Sequence, residues 1–365
     1  MNIMIFDATP HWSGGANRIF LYSNELKKRG HDVTICCLPG SGLAHRLPEI
    51  NIQVHTVNPK SDLNVFIVPK LIRLLRENNI DVIEICSPKF YWVASVAAKL
   101  SARKVILTRN VPYRKTGIKK LINRILYDKL TDRIIAISDK IKRELIEDFS
   151  LQNDKITVIY DGIDLMQFKQ RTTEQHRVKQ ERYVAAVISR LDENKGVECF
   201  INAIPKIAEK IKSVDFLIVG TGSIENKLKA LTKQLKISER VRFTGFRQDI
   251  PEILSTVDIT IMPSPKEGMS MSALESMASG VPVVATTGSG LADVIVNNSS
   301  GALVPPDNSN ELAAGVIRLL QSDYHQAGKA ARKIVEEKFS LQNVVTKYEL
   351  LIAEITKPET SNPVK

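Results

Sequence analysis

The sequence predicts an α/β protein with two Rossmann-like, parallel-sheet domains that face each other across a cleft. Short apolar runs rich in β-branched residues alternate with amphipathic stretches of helical length, which is the pattern of βαβ units. The alternation occurs twice, and the polar segment 161–182 interrupts it. A length of 365 residues also fits two domains of about 100–200 residues each.

The first half contains strand-like runs that are nearly all apolar, as in strands that helices cover on both faces. They are NIMIFDA, DVTICC, IQVHTV, DVIEIC, KVILT, RIIAIS and ITVIY. Amphipathic patterns lie between them, and in the first of these Ile19, Tyr22 and Leu26 fall near helical spacing. The first domain is therefore predicted over residues 1–165.

The alternation restarts after the polar segment, and the second domain is predicted over residues 178–340. Its strand-like runs are YVAAVIS, VDFLIVG, RVRFTGF, VDITIMP, VPVVAT and GALVPP. Three helical patterns then follow without strands between them: 308–322, 325–338 and 340–357. Residues 341–365 are predicted to be a helix that returns to the first domain and a disordered tail.

Composition and cysteine usage indicate a globular protein of a reducing compartment. The chain is 43% hydrophobic and 25% charged, and no apolar run approaches the roughly 18 residues of a membrane span. The N-terminus lacks the basic region of a signal peptide. Because the four cysteines lie in apolar runs without metal-ligand spacing, we predict free thiols and a cytoplasmic protein.

The formal charge of +11 is concentrated in one region, since residues 99–143 hold 14 basic and 3 acidic residues. Such a patch fits nucleic acid, a membrane surface or a phosphorylated ligand, or is a solvated face. Within 113–133 an apolar stripe lies among the basic residues; it consists of Ile118, Leu121, Ile122, Ile125 and Leu126. An amphipathic basic helix of this kind either lies on an anionic membrane or packs on the core, and we expect peripheral membrane contact.

Two glycine-containing turns are candidate anion sites. Gly14 and Gly15 follow the first strand and precede a helix, where backbone amides can approach an anionic ligand or simply form a tight turn. The segment 188–196 follows the first strand of the second domain and carries Arg190 and Lys195. These cations either clamp a diphosphate or are solvated.

The segment 264–286 is more specific. A strand ends at Met262-Pro263, a loop of small residues follows, and a helix begins near Ser270 to Ser272. The loop and the start of the helix would direct backbone amides at a phosphate. Glu275 follows Glu267 at a spacing of eight residues, and about one turn into the helix it can reach ribose hydroxyls.

These residues together resemble family 4 of the retaining GT-B glycosyltransferases, which use nucleotide-diphosphate sugars. The resemblance covers nearly the whole chain. It rests on Gly14-Gly15, RGHDVTI at 29–35, YDGIDLMQF at 160–168, SRLDENKG at 189–196, VGTGS at 219–223, TGF at 244–246 and the Glu267–Glu275 pair. It implies an N-terminal acceptor-binding domain and a C-terminal donor-binding domain.

The resemblance also implies a role for each matching residue. Arg190 and Lys195 match the pair that neutralises the donor diphosphate, and Glu267 lies beside the transferred sugar; these three are the predicted catalytic residues. Glu275 matches the residue that binds the nucleotide ribose. The predicted substrate-binding residues are Gly14, Gly15, Arg109, Asn110, Gly222, Phe246, Arg247, Gly268, Met269, Ser270, Met271 and Glu275.

The sequence departs from the family pattern at two places. Many members carry a histidine after the fifth strand, close to the reacting carbon, whereas this chain has Arg109 and Asn110 there. The acceptor-side catalytic group is therefore left open. The Asn that usually precedes Gly-Ile-Asp is replaced by Asp161.

The predicted function is retaining, metal-independent transfer of a sugar to a glycan or glycolipid in cell-envelope polysaccharide or lipopolysaccharide assembly. No cofactor and no metal are expected, because the sequence contains no Asp-x-Asp pair and its six histidines show no ligand spacing. The expected partners are a nucleotide-diphosphate sugar, a glycan or lipid-linked acceptor and an anionic membrane surface, and not nucleic acid. The alternatives are a phosphorylase, a sugar-nucleotide epimerase or a basic nucleic-acid-binding protein.

Overall fold

The computed structural model describes residues 1–61, 63–110, 117–169 and 182–357. The chain forms two compact units. The first comprises Met1–Gly162 and Leu341–Lys365, and the second comprises Ile163–Ser340. The sequence prediction placed the end of the first domain at residue 165. Residues 170–181 of the predicted linker and the predicted tail at 358–365 lie outside the described residues.

The first unit contains a seven-stranded parallel sheet in the order β3-β2-β1-β4-β5-β6-β7. Each strand-like run of the first half forms one strand. They are β1 Asn2–Phe6, β2 Asp32–Cys37, β3 Gln53–Thr56, β4 Val82–Ile85, β5 Lys104–Arg109, β6 Arg133–Ala136 and β7 Ile156–Val158. Apolar residues of these strands are almost all buried, as expected for a sheet covered on both faces.

Helices cover this sheet: α1 Gly14–Lys28, α2 Gly42–Arg46, α3 Val68–Glu77, α4 Tyr91–Leu100, α5 Ile118–Lys129, α6 Asp139–Phe149 and, from the end of the chain, α13 Leu341–Thr356. Serine hydroxyls cap α1, α2 and α6, where Ser13, Ser41 and Ser138 accept hydrogen bonds from backbone amides of the first turn. The apolar face of α13 joins the core of the first unit through Leu341, Val344, Tyr348, Leu351 and Ile355.

The second unit contains a six-stranded parallel sheet in the order β10-β9-β8-β11-β12-β13. Its strands are β8 Tyr183–Ile188, β9 Val214–Val219, β10 Val241–Gly245, β11 Ile259–Met262, β12 Val283–Thr286 and β13 Gly301–Val304. Its helices are α7 Val197–Lys210, α8 Glu225–Gln234, α9 Ile250–Leu254, α10 Met271–Ala278, α11 Ser309–Gln321 and α12 Tyr324–Lys338.

Both sheets reverse their strand order beside their first strand. In the second unit the chain builds outward from β8 through β9 to β10 and then returns to β11 on the other side of β8. Loops that leave neighbouring strands in opposite directions open a crevice at the carboxyl end of a parallel sheet, and ligands bind there. This rule places the candidate sites at the loops after β8 and β11 and at the loops after β1, β4 and β5.

Candidate functional site

The loops at the carboxyl edge of the second sheet are held together backbone against backbone. A Cβ atom added to Gly196 would lie 2.2 Å from the carbonyl oxygen of Pro263, and one added to Gly288 would lie 1.9 Å from that of Pro265. Gly196 also adopts a φ of +66°, which favours glycine. The loop after β8 is therefore fixed directly against the loop after β11.

This close approach brings together two of the predicted catalytic residues. The Nζ atom of Lys195 lies 2.6 Å from Oε1 of Glu267, and both side chains are about four-fifths buried. The backbone of Glu267 is held as well, because its carbonyl oxygen accepts a hydrogen bond from the amide of Gly290. A partly buried lysine in this position can place its charge against a phosphate oxygen.

Arg190 does not join this pair. Its guanidinium lies 2.9 Å from a carboxylate oxygen of Asp192, and its side chain is 67% exposed. Asp192 also accepts a hydrogen bond from the hydroxyl of Ser223, in the loop after β9. Arg190 therefore lies at the same edge of the sheet, on the solvent side of the crevice.

The N-terminus of α10 lies next to Glu267. Ser270 caps this helix by accepting a hydrogen bond from the amide of Ala273, and the preceding Gly268 and Met269 are buried. The first amides of an α-helix have no partner within the helix, and the helix dipole is positive at this end. The predicted segment Gly268–Met271 thus forms a helix N-terminus of the kind that binds anions.

Glu275 lies about one turn into α10 and is partly buried. Burial raises the pKa of its carboxyl group to about 7, because removal from water disfavours the charged form. Hydrogen-bond donors of a ligand, such as a pair of hydroxyl groups, would stabilise the ionised form.

The remaining predicted residues of this unit follow β9 and β10. A Cβ atom on Gly222 would lie 2.3 Å from the carbonyl oxygen of Leu191, so the loops after β8 and β9 are also in backbone contact. Phe246 is 65% exposed, and Arg247 forms an ion pair with Asp249. An exposed aromatic ring at the edge of a ligand crevice can stack on a planar base.

The glycine pair of the first unit forms the N-terminus of α1. A Cβ atom on Gly15 would lie 3.8 Å from Oγ of Ser13 and 3.9 Å from Nδ2 of Asn110. Asn110 therefore lies beside the glycine pair. Arg109 is buried and interacts with Tyr91, so its side chain is part of the interior beneath this edge.

A buried ionic cluster in the first unit was missing from the sequence prediction. Arg18 of α1 is 1% exposed; its guanidinium lies 3.1 Å from Oε1 of Glu84 on β4 and 3.1 Å from Oδ1 of Asp161. Burial raises the pKa of Asp161 to about 6, although Arg18 opposes this rise. Only the replacement of the usual Asn by Asp161 indicated this cluster in the sequence.

The predicted amphipathic helix is α5, and its apolar stripe is largely exposed. Leu121, Ile122 and Ile125 are 62%, 40% and 48% exposed, whereas Leu126 is buried. The helix is therefore not simply packed on the core. Residues 111–116 and the side chain of Ile118 lie outside the described part of the chain.

The described residues contain neither a membrane-spanning helix nor a cluster of metal ligands. None of the helices there is long and apolar enough to cross a membrane. Within the same ranges, no group of three or more His, Cys, Asp or Glu side chains is arranged to hold a metal ion. The four cysteines are free thiols, as the sequence predicted.

The fold and the site define a glycosyltransferase. The family model described as "Glycosyltransferase Family 4" matches residues 12–167, and the model described as "Glycosyl transferases group 1" matches residues 168–334. The chain therefore belongs to family 4 of the GT-B glycosyltransferases, and the prediction of this family and fold is confirmed.

Relatives of this chain differ in their acceptors. It is 31% identical to the glycosyltransferase MJ1607 of Methanocaldococcus jannaschii, over 58% of this chain and 57% of that protein. It is 25% identical to the N-acetyl-alpha-D-glucosaminyl L-malate synthase of Bacillus anthracis, over 93% of both chains. It is also 25% identical to the N-acetylgalactosamine-N,N'-diacetylbacillosaminyl-diphospho-undecaprenol 4-alpha-N-acetylgalactosaminyltransferase of Campylobacter jejuni, over 85% of this chain and 88% of that one.

The same fold occurs in solved structures. The structure of Anabaena HepE in complex with UDP-glucose superimposes with a TM-score of 0.82 at 20% identity, covering 97% of this chain and 100% of that one. This likeness supports the two-unit GT-B fold.

Proposed function

We propose that this glycosyltransferase moves a sugar, with retention of configuration, from a nucleotide-diphosphate sugar to a lipid-linked glycan of the cell envelope. The observation that carries the donor half of this proposal is the pairing of Lys195 with Glu267 beside the N-terminus of α10. A cation, a carboxylate and a set of helix amides at one sheet edge are what a sugar diphosphate requires.

The leaving group determines what the site must do. When the bond between sugar and diphosphate breaks, negative charge grows on the phosphate oxygen. Lys195, with Arg190 at the rim of the crevice, and the amides of Gly268–Met271 would stabilise that charge without reorganisation. In a retaining reaction the acceptor hydroxyl attacks the face from which the diphosphate departs, and the diphosphate can accept its proton.

Glu267 and Glu275 have separate roles in this proposal. When the donor binds, its phosphate would replace Glu267 as the partner of Lys195. Glu267 would then accept a hydrogen bond from a hydroxyl of the transferred sugar. Glu275, further along α10, would bind the two ribose hydroxyls. The exposed ring of Phe246 would cover the base, as the UDP-glucose complex of a protein with this fold makes reasonable.

We propose that no divalent ion is needed, because fixed cations and helix amides supply the positive charge that a metal would otherwise provide. Activity in the presence of EDTA tests this directly. Full activity after extensive chelation supports the proposal, and loss of activity that a divalent ion restores would overturn it.

The acceptor is proposed from the surface of α5. Two relatives are both 25% identical to this chain, and the name of one contains L-malate while that of the other contains a diphospho-undecaprenol. Sequence identity alone therefore does not decide between these two kinds of acceptor. The exposed Leu121, Ile122 and Ile125 lie on a helix whose Lys120, Arg124 and Lys129 are exposed as well. Such a surface fits an anionic bilayer, where each basic residue contributes about 1 kcal/mol. We therefore propose that the protein acts at the cytoplasmic face of a membrane.

A second exposed apolar segment lies in the same unit. Leu63, Val65 and Phe66 are 64%, 65% and 91% exposed and follow β3. Because all seven strands are parallel, the ends of β3 and β5 lie at the same edge as the end of β1. The sheet order places β1 between them, so the segments that follow β3 and β5 leave the sheet on opposite sides of the segment that follows β1. This arrangement suits an acceptor whose lipid part remains in the membrane.

The donor is tested by thermal shift with a panel of nucleoside diphosphates and their sugars. A ligand present at 100 times its Kd should stabilise the protein by about 2.7 kcal/mol. If no nucleotide stabilises it, the proposed donor site is wrong. Release of sugar 1-phosphate with inorganic phosphate as acceptor would instead indicate a phosphorylase.

Membrane contact is tested by co-sedimentation with vesicles that contain phosphatidylglycerol, against vesicles of phosphatidylcholine alone. Replacement of Leu121 and Ile125 by Ser should weaken binding to the anionic vesicles. Leu350→Ser is the matched control, because Leu350 is 67% exposed on α13. Equal binding of all three proteins would contradict this role of α5. Competition by random DNA would favour a nucleic-acid partner.

A further inference from the structure

Arg18 forms the centre of a buried cluster that joins three parts of the first unit. Two of its nitrogens, Nη1 and Nη2, each donate a hydrogen bond of 3.1 Å to Oε1 of Glu84. The same carboxylate oxygen accepts a hydrogen bond of 2.6 Å from the hydroxyl of Thr108 on β5. The guanidinium also lies over the ring of Tyr22, 4.5 Å from its centroid.

The third partner of Arg18 is the segment at which the chain leaves the first unit. Asp161 immediately precedes the boundary between Gly162 and Ile163, and its carboxylate lies 3.1 Å from Nε of Arg18. One residue earlier, the carbonyl oxygen of Tyr160 accepts a hydrogen bond of 2.8 Å from the hydroxyl of Tyr22. Thus α1 is attached to the exit segment 160–162 twice.

The other end of this connection is the glycine pair. Arg18 lies one turn after Gly14, so the guanidinium fixes the helix turn that begins with the two glycines. The attachment is specific because a buried guanidinium that loses one of its polar partners is strongly disfavoured. The position of the first turn of α1 therefore depends on where Asp161 is held.

We propose that Arg18 is a positioning residue that couples the glycine pair to the exit segment through Asp161. This inference rests on the proposed function for its consequence: the glycine turn of the proposed acceptor-binding unit is held in place by the residues at which the chain leaves that unit. Loss of the link would misplace Gly14 and Gly15 without removing any donor contact. A small misplacement of such a group can lower the rate about 10²-fold.

Hydrogen exchange of the free protein tests the coupling without any ligand. In Asp161→Ala, the amides of residues 14–18 should exchange faster than in wild type. In Asp161→Asn a polar side-chain oxygen of the same size is kept beside Arg18, so exchange should return to the wild-type rate. Unchanged exchange at residues 14–18 in Asp161→Ala would overturn the inference.

The matched control is Arg29→Met on the same helix. Arg29 ends α1 and lies 2.7 Å from a carboxylate oxygen of Glu349 on α13. Its loss should accelerate exchange at the end of α1 and in α13, and leave residues 14–18 unchanged. Equal effects of Arg29→Met and Asp161→Ala at residues 14–18 would mean that the helix merely loosens as a whole.

Kinetics with the donor identified by the thermal-shift panel give the functional measurement. Asp161→Ala should lower kcat about 10- to 100-fold, with the affinity for the nucleoside diphosphate unchanged. Asp161→Asn and Arg29→Met should retain kcat. A kcat of Asp161→Ala equal to that of Asp161→Asn would also overturn the inference, whereas failure of any nucleotide to bind wild type would count against the donor site instead.

Discussion

Nζ of Lys195 lies 2.6 Å from Oε1 of Glu267, a residue 72 positions further along the chain. The lysine that is proposed to face the departing diphosphate is thus paired with a carboxylate in the protein alone. In the proposed donor complex, phosphate would share or replace this partner of Lys195. The pair therefore keeps the cation in place and partly buried until the nucleotide arrives.

Lys195→Ala is expected to lower kcat about 10²–10³-fold, or about 3–4 kcal/mol, because its charge acts on a group whose negative charge grows in the transition state. Arg190→Ala should lower kcat for the same reason. Steady-state kinetics with the identified donor provide the measurement. Lys227→Ala is the control, since Lys227 forms an exposed 2.6 Å pair with Glu198 in the same unit. A wild-type kcat with only a raised KM would show that Lys195 does not face the leaving phosphate.

Glu275→Gln is expected mainly to raise the donor KM, because contact with ribose hydroxyls is the same before and during reaction. The pKa of this carboxyl is raised to about 7 by burial, and hydroxyl donors bind best to its ionised form. Donor affinity of the wild type should therefore increase as the pH rises through about 7.

Isothermal titration with the nucleoside diphosphate across this pH range measures the effect, and Glu275→Gln should lose that pH dependence. Glu252→Gln controls for the loss of a carboxylate, because Glu252 is exposed in the same unit. A wild-type affinity that is constant between about pH 6 and 8 would argue against Glu275 as the ribose ligand.

The variant Gly15→Ala is expected to lower the activity of the protein without lowering its stability. The nearest atoms to the added methyl would be 3.8 Å away, which is ordinary contact, and the φ of Gly15 is not positive, so alanine fits this position without strain. The thermal midpoint should therefore stay the same or rise. If the backbone of this turn binds an anionic group of a substrate, kcat should fall. Unchanged turnover in a stable variant would show that the glycine pair binds no substrate.

Asp161→Asn is expected to change how stability depends on pH. Burial raises the pKa of Asp161 from 3.8 to about 6, so the folded protein binds this proton more tightly than the unfolded chain does. The contribution to stability is present at low pH and is lost as the pH rises through about 6. Because Asn does not titrate, the Tm of the variant relative to wild type should increase between about pH 4 and 6.5 and stay constant above that range.

Differential scanning fluorimetry of both proteins at each pH gives this difference, and Asp154→Asn is the control, since Asp154 is exposed shortly before β7. A difference in Tm that is the same at every pH would mean that Asp161 does not titrate in this range.

The sequence was sufficient to predict the strands and their division between two sheets. Buried parallel strands such as β4 and β12 are continuous apolar runs and differ clearly from loops. It was also sufficient for the start of α10, where Ser270 is a favourable cap, and for its end, where Gly280 adopts a φ of +74°. These features depend on neighbours in the chain.

Features that depend on distant residues were not predictable in the same way. Arg18 lies 66 residues from Glu84, and its amphipathic position gave no sign that it would be buried. The sequence likewise placed Arg190 and Lys195 together as a clamp, whereas the structure pairs one with Asp192 and the other with Glu267. The partner of a charged side chain is set by tertiary packing, which periodicity does not encode.

The second unit begins at Ile163 and ends at Ser340, and these two residues pair with each other. An uninterrupted stretch with adjacent ends is a cassette, a segment that can be moved as one piece. Residues 163 and 340 are thus natural boundaries for expressing the second unit, the proposed donor-binding half, alone. The same geometry would allow cassettes to be exchanged between relatives, combining one protein's donor preference with another's acceptor.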